Sequence, residues 1–329
     1  MNTKEKILHL FKSTKDLSVK EIVDKLMVSK QGVHLALNQL LEEKKVQKFG
    51  RTPKTIYRLF NDKQQIISHN KLSELPEADI QLLESKMLLI SEIGEFLTGI
   101  SAFERWCEAR KQPIDKTFVE FKQTLKKYEV YQDKNGMIDG MPKLKNTKGY
   151  DKIYLDKLYY LDFYAIERFG KTRLGTLLHY AKQGQNKMLM MKIVEEIRTK
   201  INTFIAEMKA DAIAFVPPTI RREVQIMKFL ETHLQIHLPV VKIQKISGLI
   251  PVPQKSLNKL EERIRNADNT FAINETVKYK HVILFDDAVG SGSTLNQIAG
   301  KLKEKKIAMK ITGVAIVGSF KGFDVITDI

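Results

Sequence analysis

Residues 281–300 read HVILFDDAVGSGSTLNQIAG and put two adjacent carboxylates beside a stretch of glycines and hydroxyls. Asp286 and Asp287 follow an unbroken apolar run, Val282 to Phe285, and precede Ala288, Val289, Gly290, Ser291, Gly292, Ser293 and Thr294. Paired acids can hold a cation or the hydroxyls of a sugar. A Gly, Ser and Thr stretch that opens a helix offers amide and hydroxyl donors to one phosphate. The elements that must position this chemistry follow from the pattern. Four apolar residues without alternation predict a strand covered on both faces in a parallel sheet. The acids then lie at its carboxyl end, where ligands of such sheets sit, and a helix is expected from near Leu295.

Three phosphate-loop patterns compete for this stretch. A P-loop requires GxxxxGK[ST], and no lysine follows Gly292. A dinucleotide fingerprint requires a third glycine where Leu295 stands, and would not set two carboxylates against a pyrophosphate. The remaining pattern, an apolar strand, two acids and a short Gly and Ser/Thr loop, resembles the phosphoribosyl-pyrophosphate (PRPP) signature of type I phosphoribosyltransferases. That resemblance implies that Asp286 and Asp287 grip the ribose 2′ and 3′ hydroxyls while residues 288–294 hold the 5-phosphate.

Further segments narrow the resemblance to ComF-type phosphoribosyltransferases. DAIAFVPPTIRREVQIMKFL (211–230) is similar to their strand, proline-rich turn and basic loop, which would place Arg221 and Arg222 at the leaving pyrophosphate. QKSLNKLEERIRNADNTF (254–271) is similar to another of their segments through Gln254, Leu257, Glu262, Arg263, Asn266 and Phe271, with one residue inserted between Leu257 and Glu262, and adds Arg263 as a pyrophosphate contact. LGTLLHYAKQGQ (174–185) resembles the helix leading into the fold. Together these cover residues 155–320. The resemblance implies Mg²⁺ as cofactor with PRPP, held by oxygens of pyrophosphate, ribose and water. Asp286 and Asp287 would support that shell without forming a complete cage. Two departures stand out: the family's zinc-ribbon N-terminus is absent, and Gly290 stands where nucleobase-salvage relatives often carry a base-handling aspartate. No general base is evident, so the acceptor is open.

The first sixty residues carry 13 Lys and Arg against 6 Asp and Glu, a surplus of seven out of +16 for the 329-residue chain. Such charge favours a polyanionic partner. Asn2 with Glu5 and Ser18 with Glu21 have capping-box spacing. Ile7, Leu8, Leu10 and Phe11 give the first helix an apolar face, and Val19, Ile22, Val23 and Leu26 the second. After a break at Met27 and Val28, Ser29 can cap a third helix buried through Val33, Leu37, Leu40 and Leu41, whose other face carries Lys30, Gln31, His34 and Asn38. VQKFGRTPKTIYRL (46–59) then reads as two short strands with Lys48, Arg51 and Lys54 near the tip. The whole resembles a winged helix-turn-helix domain. That resemblance implies DNA as partner, with Ser29, Lys30, Gln31 and His34 at bases and Lys48, Arg51 and Lys54 at the backbone; the other reading is a protein-docking module with a solvated charged face.

Between these parts the pattern weakens. Ile80, Leu83, Met87, Ile90 and Leu97 predict a helix over 76–110 interrupted at Gly94, a stripe that could pair two copies into a homodimer or serve as ordinary core. Residues 131–152 read as loop or linker. Trp106, the single cysteine Cys107 and the aromatic residues of 154–170 read as packing. One cysteine excludes an internal disulfide framework, and no apolar run long enough for a membrane span or a secretory signal is present, so no membrane partner and a cytoplasmic location are expected. The expected fold class is α/β: a parallel-sheet type I phosphoribosyltransferase fold at 151–329, preceded by a winged helix-turn-helix domain at 1–62 and a helical connector at 63–150. Three functions fit this organisation: a DNA-binding phosphoribosyltransferase, a PRPP-sensing regulator without turnover, and a defence or toxin-type ribosyltransferase effector.

Overall fold

The computed structural model describes residues 2–14, 16–43, 45–49, 55–59, 75–147, 149–218, 220, 222–246, 262 and 270–320. The chain divides into two compact units, one of Met1–Gln81 with Ile90–Phe96 and one of Leu82–Leu89 with Leu97–Ile329. Residues 97–150, expected to belong to a connector, thus fall within the second unit. Among the described residues, no helix is long and apolar enough to cross a membrane.

The first unit opens with α1 (Thr3–Leu10), β1 (Leu17–Ser18), α2 (Val19–Leu26) and α3 (Lys30–Glu42). Both capping boxes form. The Asn2 side chain accepts from the Glu5 amide at 2.9 Å while the Asn2 amide donates to the Glu5 carboxylate at 3.0 Å, and Ser18 and Glu21 repeat the exchange. Each box satisfies amides that a helix start would otherwise leave bare. The helix that follows α2 is set by Met27, which takes a left-handed φ of 50°. β2 (Val46–Phe49) and β3 (Ile56–Leu59) pair as an antiparallel hairpin, and β1 adds to β3, giving sheet order β1-β3-β2. Ile7, Leu17, Ile22, Val33, Leu37 and Leu40 are fully enclosed at its centre. Arg58 on β3 clamps Asp16 through two hydrogen bonds of 2.7 and 3.0 Å. Three helices followed by a strand hairpin are the elements expected here from the sequence.

The expected helix over 76–110 is a different structure. α4 (Glu77–Lys86) ends before a hairpin of β4 (Leu88–Ile90) and β5 (Phe96–Thr98), and α5 (Gly99–Ala109) follows. Gly94 takes φ +83° at the turn, a conformation that costs glycine little and other residues more. The apolar stripe is therefore divided between helix and strand, and the helical face that would have paired two copies does not exist.

In the second unit, α5 packs on α6 (Ile114–Glu129) through Phe103, whose ring lies 5.7 Å from those of both Phe118 and Phe121. Trp106 donates to the Phe169 carbonyl at 3.2 Å, and burial pushes the neighbouring Cys107 thiol up to about 11, so both are packing residues as expected. The segment read as linker holds β6 (Ile138–Asp139) and α7 (Met141–Asn146). Then come β7 (Lys157–Phe163), the small hairpin β8 (Ala165–Ile166) and β9 (Gly170–Lys171), α8 (Arg173–Gln183), α9 (Lys187–Met208), β10 (Ala212–Phe215) and α10 (Ile226–His233). β11 (Ile243–Lys245) and β12 (Phe271–Ile273) pair with each other, and β13 (Tyr279–Val289), α11 (Ser293–Glu304) and β14 (Ala308–Gly318) complete the order.

The main sheet runs β10-β13-β14-β7-β6. Its first four strands are parallel, and β6 joins antiparallel at the edge. The chain is therefore α/β with a mostly parallel five-stranded sheet. Val282 to Phe285 are at most 1% exposed, as the unbroken apolar run requires of a central strand. Gly318 ends β14, and a Cβ there would fall within the ring of Tyr160, itself only 2% exposed. Gly318→Ala is expected to cost about 1–3 kcal/mol by overpacking, read as a lower denaturation midpoint of the second unit. Tyr160→Val in the same chain should return part of that loss.

Candidate functional site

β13 carries the acid pair in the strand itself rather than beyond it. Asp286 is registered against Ala315 and Ala288 against Val317 of β14, so the ladder continues through both acids to Val289. Successive strand residues point to opposite faces, which separates the two carboxylates. Asp287 is 6% exposed and its carboxylate pairs with the Lys182 ammonium, from the last turn of α8. Asp286 is half-buried, and its Oδ1 accepts the Asp287 amide at 2.8 Å. The pair therefore offers one carboxylate already neutralised by a lysine and one on the other face.

Ala288 and Val289 are strand residues, Val289 being buried, so the loop proper is Gly290 to Gly292. α11 begins at Ser293, two residues earlier than expected, because Gly292 at φ +85° turns the chain directly into the helix. Ser293 and Thr294 are its first residues. Gly292 is required by its left-handed φ, and a Cβ there would meet Cδ1 of Leu144 at 2.9 Å, a side-chain end able to shift. The Ser291 and Ser293 hydroxyls are 3.0 Å apart, and the Ser293 amide donates to Ser291 Oγ at 3.3 Å. This is a compact turn with hydroxyls at the amino end of a helix, the end that favours an anion.

The residues that hold the turn come largely from the stretch read as linker. Leu144 on α7 closes against Gly292, and the Tyr150 hydroxyl donates to the Ser291 carbonyl at 2.9 Å. Asn296, fully buried in the first turn of α11, accepts from the Tyr154 amide at 2.7 Å and donates to the Lys152 carbonyl at 2.9 Å. Lys143 donates to the Ser319 carbonyl at 2.7 Å, and the Ser319 amide donates to the Val289 carbonyl at 3.0 Å, tying α7 to the start of the loop. Burial brings the Lys143 ammonium down to about 8. Loop-like composition concealed these roles, since Gly, Asn and Lys surround the few buried residues that do the holding.

Among the basic residues expected at pyrophosphate, Arg222 is joined to the carboxyl end of α8. Its Nη2 donates to Gln183 Oε1 at 3.3 Å, and Gln183 is the residue after Lys182. The Val224 amide donates to Gln185 Oε1 at 2.9 Å, so the stretch after β10 docks on the carboxyl end of α8. Lys182 lay within a segment matched only as a helix, and nothing in its spacing distinguished it from a solvated lysine. Arg221 and Arg263 lie outside the described residues. Among the described residues, no cluster of three or more His, Cys, Asp or Glu could cage a metal.

In the first unit, Lys30, Gln31 and His34 are exposed together on α3, and Lys48 is exposed on β2. Ser29 is the cap of α3, its hydroxyl accepting the Gly32 amide at 3.1 Å, and it is exposed. Arg51 and Lys54 lie outside the described residues. Leu41, expected in the buried stripe of α3, is half-buried, and Ala36 takes its place in the core.

The Lys182 and Asp287 pair joins a half-buried ammonium to a buried carboxylate, and the carboxylate left alone keeps a buried charge without compensation. Lys182→Met and Asp287→Asn are each expected to destabilise the second unit, and their combination by less than the sum. A double-mutant cycle on urea midpoints should return a coupling of about 1–3 kcal/mol. Compared with known protein families and with curated protein sequences, the chain matches none.

Proposed function

We propose that this protein binds nucleic acid through its first unit and PRPP through its second, and that the second transfers the phosphoribosyl group to an acceptor. The observation that carries this reading is the order at the carboxyl end of β13: two acids, a Gly290–Gly292 turn with hydroxyls, and the amino end of α11. The turn and helix end would hold the 5-phosphate, and a carboxylate of the pair a ribose hydroxyl. Asp287 reaches a ligand only by exchanging its lysine. Hard carboxylate oxygens without a complete cage fit Mg²⁺ bound together with its substrate. Asp286 and Asp287 would support such an ion, which supplies charge neutralisation at the pyrophosphate.

Transfer breaks the bond from C1 to pyrophosphate. The electron pair leaves with pyrophosphate, the acceptor's lone pair bonds to C1, and the acceptor's proton passes to water. Arg222, with Arg221 and Arg263 by the sequence resemblance, would disperse the charge of the leaving group. Calorimetry with PRPP, with and without Mg²⁺, tests the reading: binding is expected with Mg²⁺ and should weaken at least tenfold in Asp286→Asn. Pyrophosphate release over a panel of acceptors should then follow binding.

A second reading, a ligand sensor without turnover, is favoured by the Lys182 contact to Asp287. A ligand that exchanges this pair acts directly on α8, whose carboxyl end also anchors Arg222 and Val224. Tight binding with no pyrophosphate release and an altered affinity for DNA would select it. For the first unit, replacing Lys48, Arg51 and Lys54 together by Ala is expected to weaken duplex binding and to flatten its salt dependence, since each lost phosphate contact removes roughly 0.9 from the logarithmic slope. An unchanged slope would replace nucleic acid by a protein partner.

A further inference from the structure

Away from the acid corner, the second unit contains a pocket of about 350 Å³ near the carboxyl end of β7, walled by α6, α8, α9 and the end of α4. That volume suits a small molecule. One wall is aromatic: the rings of Phe121 and Phe169 meet edge to face at 5.0 Å, and Tyr128 stands against Phe163 at 5.2 Å. The other wall is charged, with Lys86, Asp162 and Lys200, and Glu129, Lys171 and the Arg173–Glu196 ion pair also line the pocket.

These three groups influence one another electrostatically but do not pair. Lys200 donates to the carbonyls of Gly136 at 2.7 Å and Leu161 at 3.2 Å and forms no ion pair with Asp162. Lys86 makes neither a side-chain hydrogen bond nor an ion pair among the described residues. Asp162 accepts its neighbour's amide, from Phe163, at 2.8 Å, and a hydrogen bond from the Thr172 side chain. Burial pushes the Asp162 carboxyl up and the Lys200 ammonium down, although both stay partly open to the pocket. Buried ions held for the fold are usually paired with full hydrogen bonding. With Arg173 and Glu196 paired to each other and Glu129 offset by Lys171, the two ammonium groups of Lys86 and Lys200 against the one Asp162 carboxylate leave the lining one positive charge to be matched.

We propose that this pocket binds a small aromatic acid that also carries a hydroxyl or amino donor. Its ring lies on the Phe121, Tyr128 and Phe169 wall, its carboxylate takes Lys86 and Lys200, and its donor reaches Asp162. The site is independent of PRPP and of the acid corner, so it is tested without either.

The probe is 4-hydroxybenzoate, titrated calorimetrically into the full-length protein, with 4-methylbenzoate lacking the donor and 4-hydroxybenzyl alcohol lacking the charge. For a ligand of this size, dissociation constants on the order of 0.1–1 mM are expected. Lys86→Met, at an exposed position and checked for folding by its melting curve, should weaken 4-hydroxybenzoate about tenfold, as loss of one charge-assisted hydrogen bond implies. Asp162→Asn, checked for folding by its melting curve, should abolish the preference for 4-hydroxybenzoate over 4-methylbenzoate. No binding of 4-hydroxybenzoate at 10 mM would overturn the proposal. So would binding that Lys86→Met leaves unchanged, or an equal affinity for the uncharged alcohol.

Discussion

The placement of β13 between β10 and β14 is the constraint on which the rest of the second unit depends. Val282, Ile283, Leu284 and Phe285 are covered on both faces, each contributing about 1.5–3 kcal/mol of burial, so the strand cannot slide without exposing them. Parallel pairing aligns Phe215 of β10 and Val314 of β14 with Phe285, and the polar sequence that follows must emerge at a single edge of the sheet. Asp286, Asp287 and the turn at Gly290–Gly292 are positioned by this apolar register before any of their own contacts form. The same register divides the carboxylates between faces, so the pair is two different groups: one held by α8 and one half-buried on the other side.

Much of this was legible because local chemistry and the final fold agree. Asn2 with Glu5 and Ser18 with Glu21 act within four residues of chain, and nothing distant competes with them. The unbroken apolar run at Val282–Phe285 can only be buried, and it is. The helix over 76–110 was misread because apolar residues three and four apart also occur where a helix, two short strands and a second helix follow in turn. Gly94 at φ +83° marks the break as a turn. The start of α11 near Leu295 was placed late because hydroxyl-rich residues suggested loop, whereas the left-handed Gly292 starts the helix at Ser293.

The acid corner was legible in its own residues and not in those that support it. Residues 131–152 have the composition of a linker, yet Met137, Ile138 and Leu144 are at most 2% exposed. Asp133 shapes this stretch by accepting the amides of Asn135 at 2.8 Å and Met137 at 2.9 Å, a local turn that lets a polar segment deliver buried side chains. Leu144, Tyr150 and the Asn296 to Lys152 contact act over more than a hundred residues of sequence, a separation for which a single chain carries no periodic signal. Lys182 is similar: a lysine at a helix end is ordinarily solvated, and only the return of β13 beneath α8 gives it a carboxylate.

The contact of Lys182 with Asp287 also bears on how an anion could enter so acidic a corner. Two carboxylates beside the loop oppose a polyphosphate, and a lysine bound to one of them lowers that opposition before any ligand arrives. On the proposed reading, Asp287 would support the divalent cation that accompanies PRPP, and the Lys182 ammonium, at the end of α8 where Gln183 holds Arg222, would turn to the phosphate. The lysine would then trade a carboxylate for a phosphate without being left buried and uncompensated, the state that makes broken internal ion pairs costly. Such an exchange keeps the charge of the corner balanced at each stage, and it ties ligand occupancy to α8 rather than to the rigid strand that carries the acids.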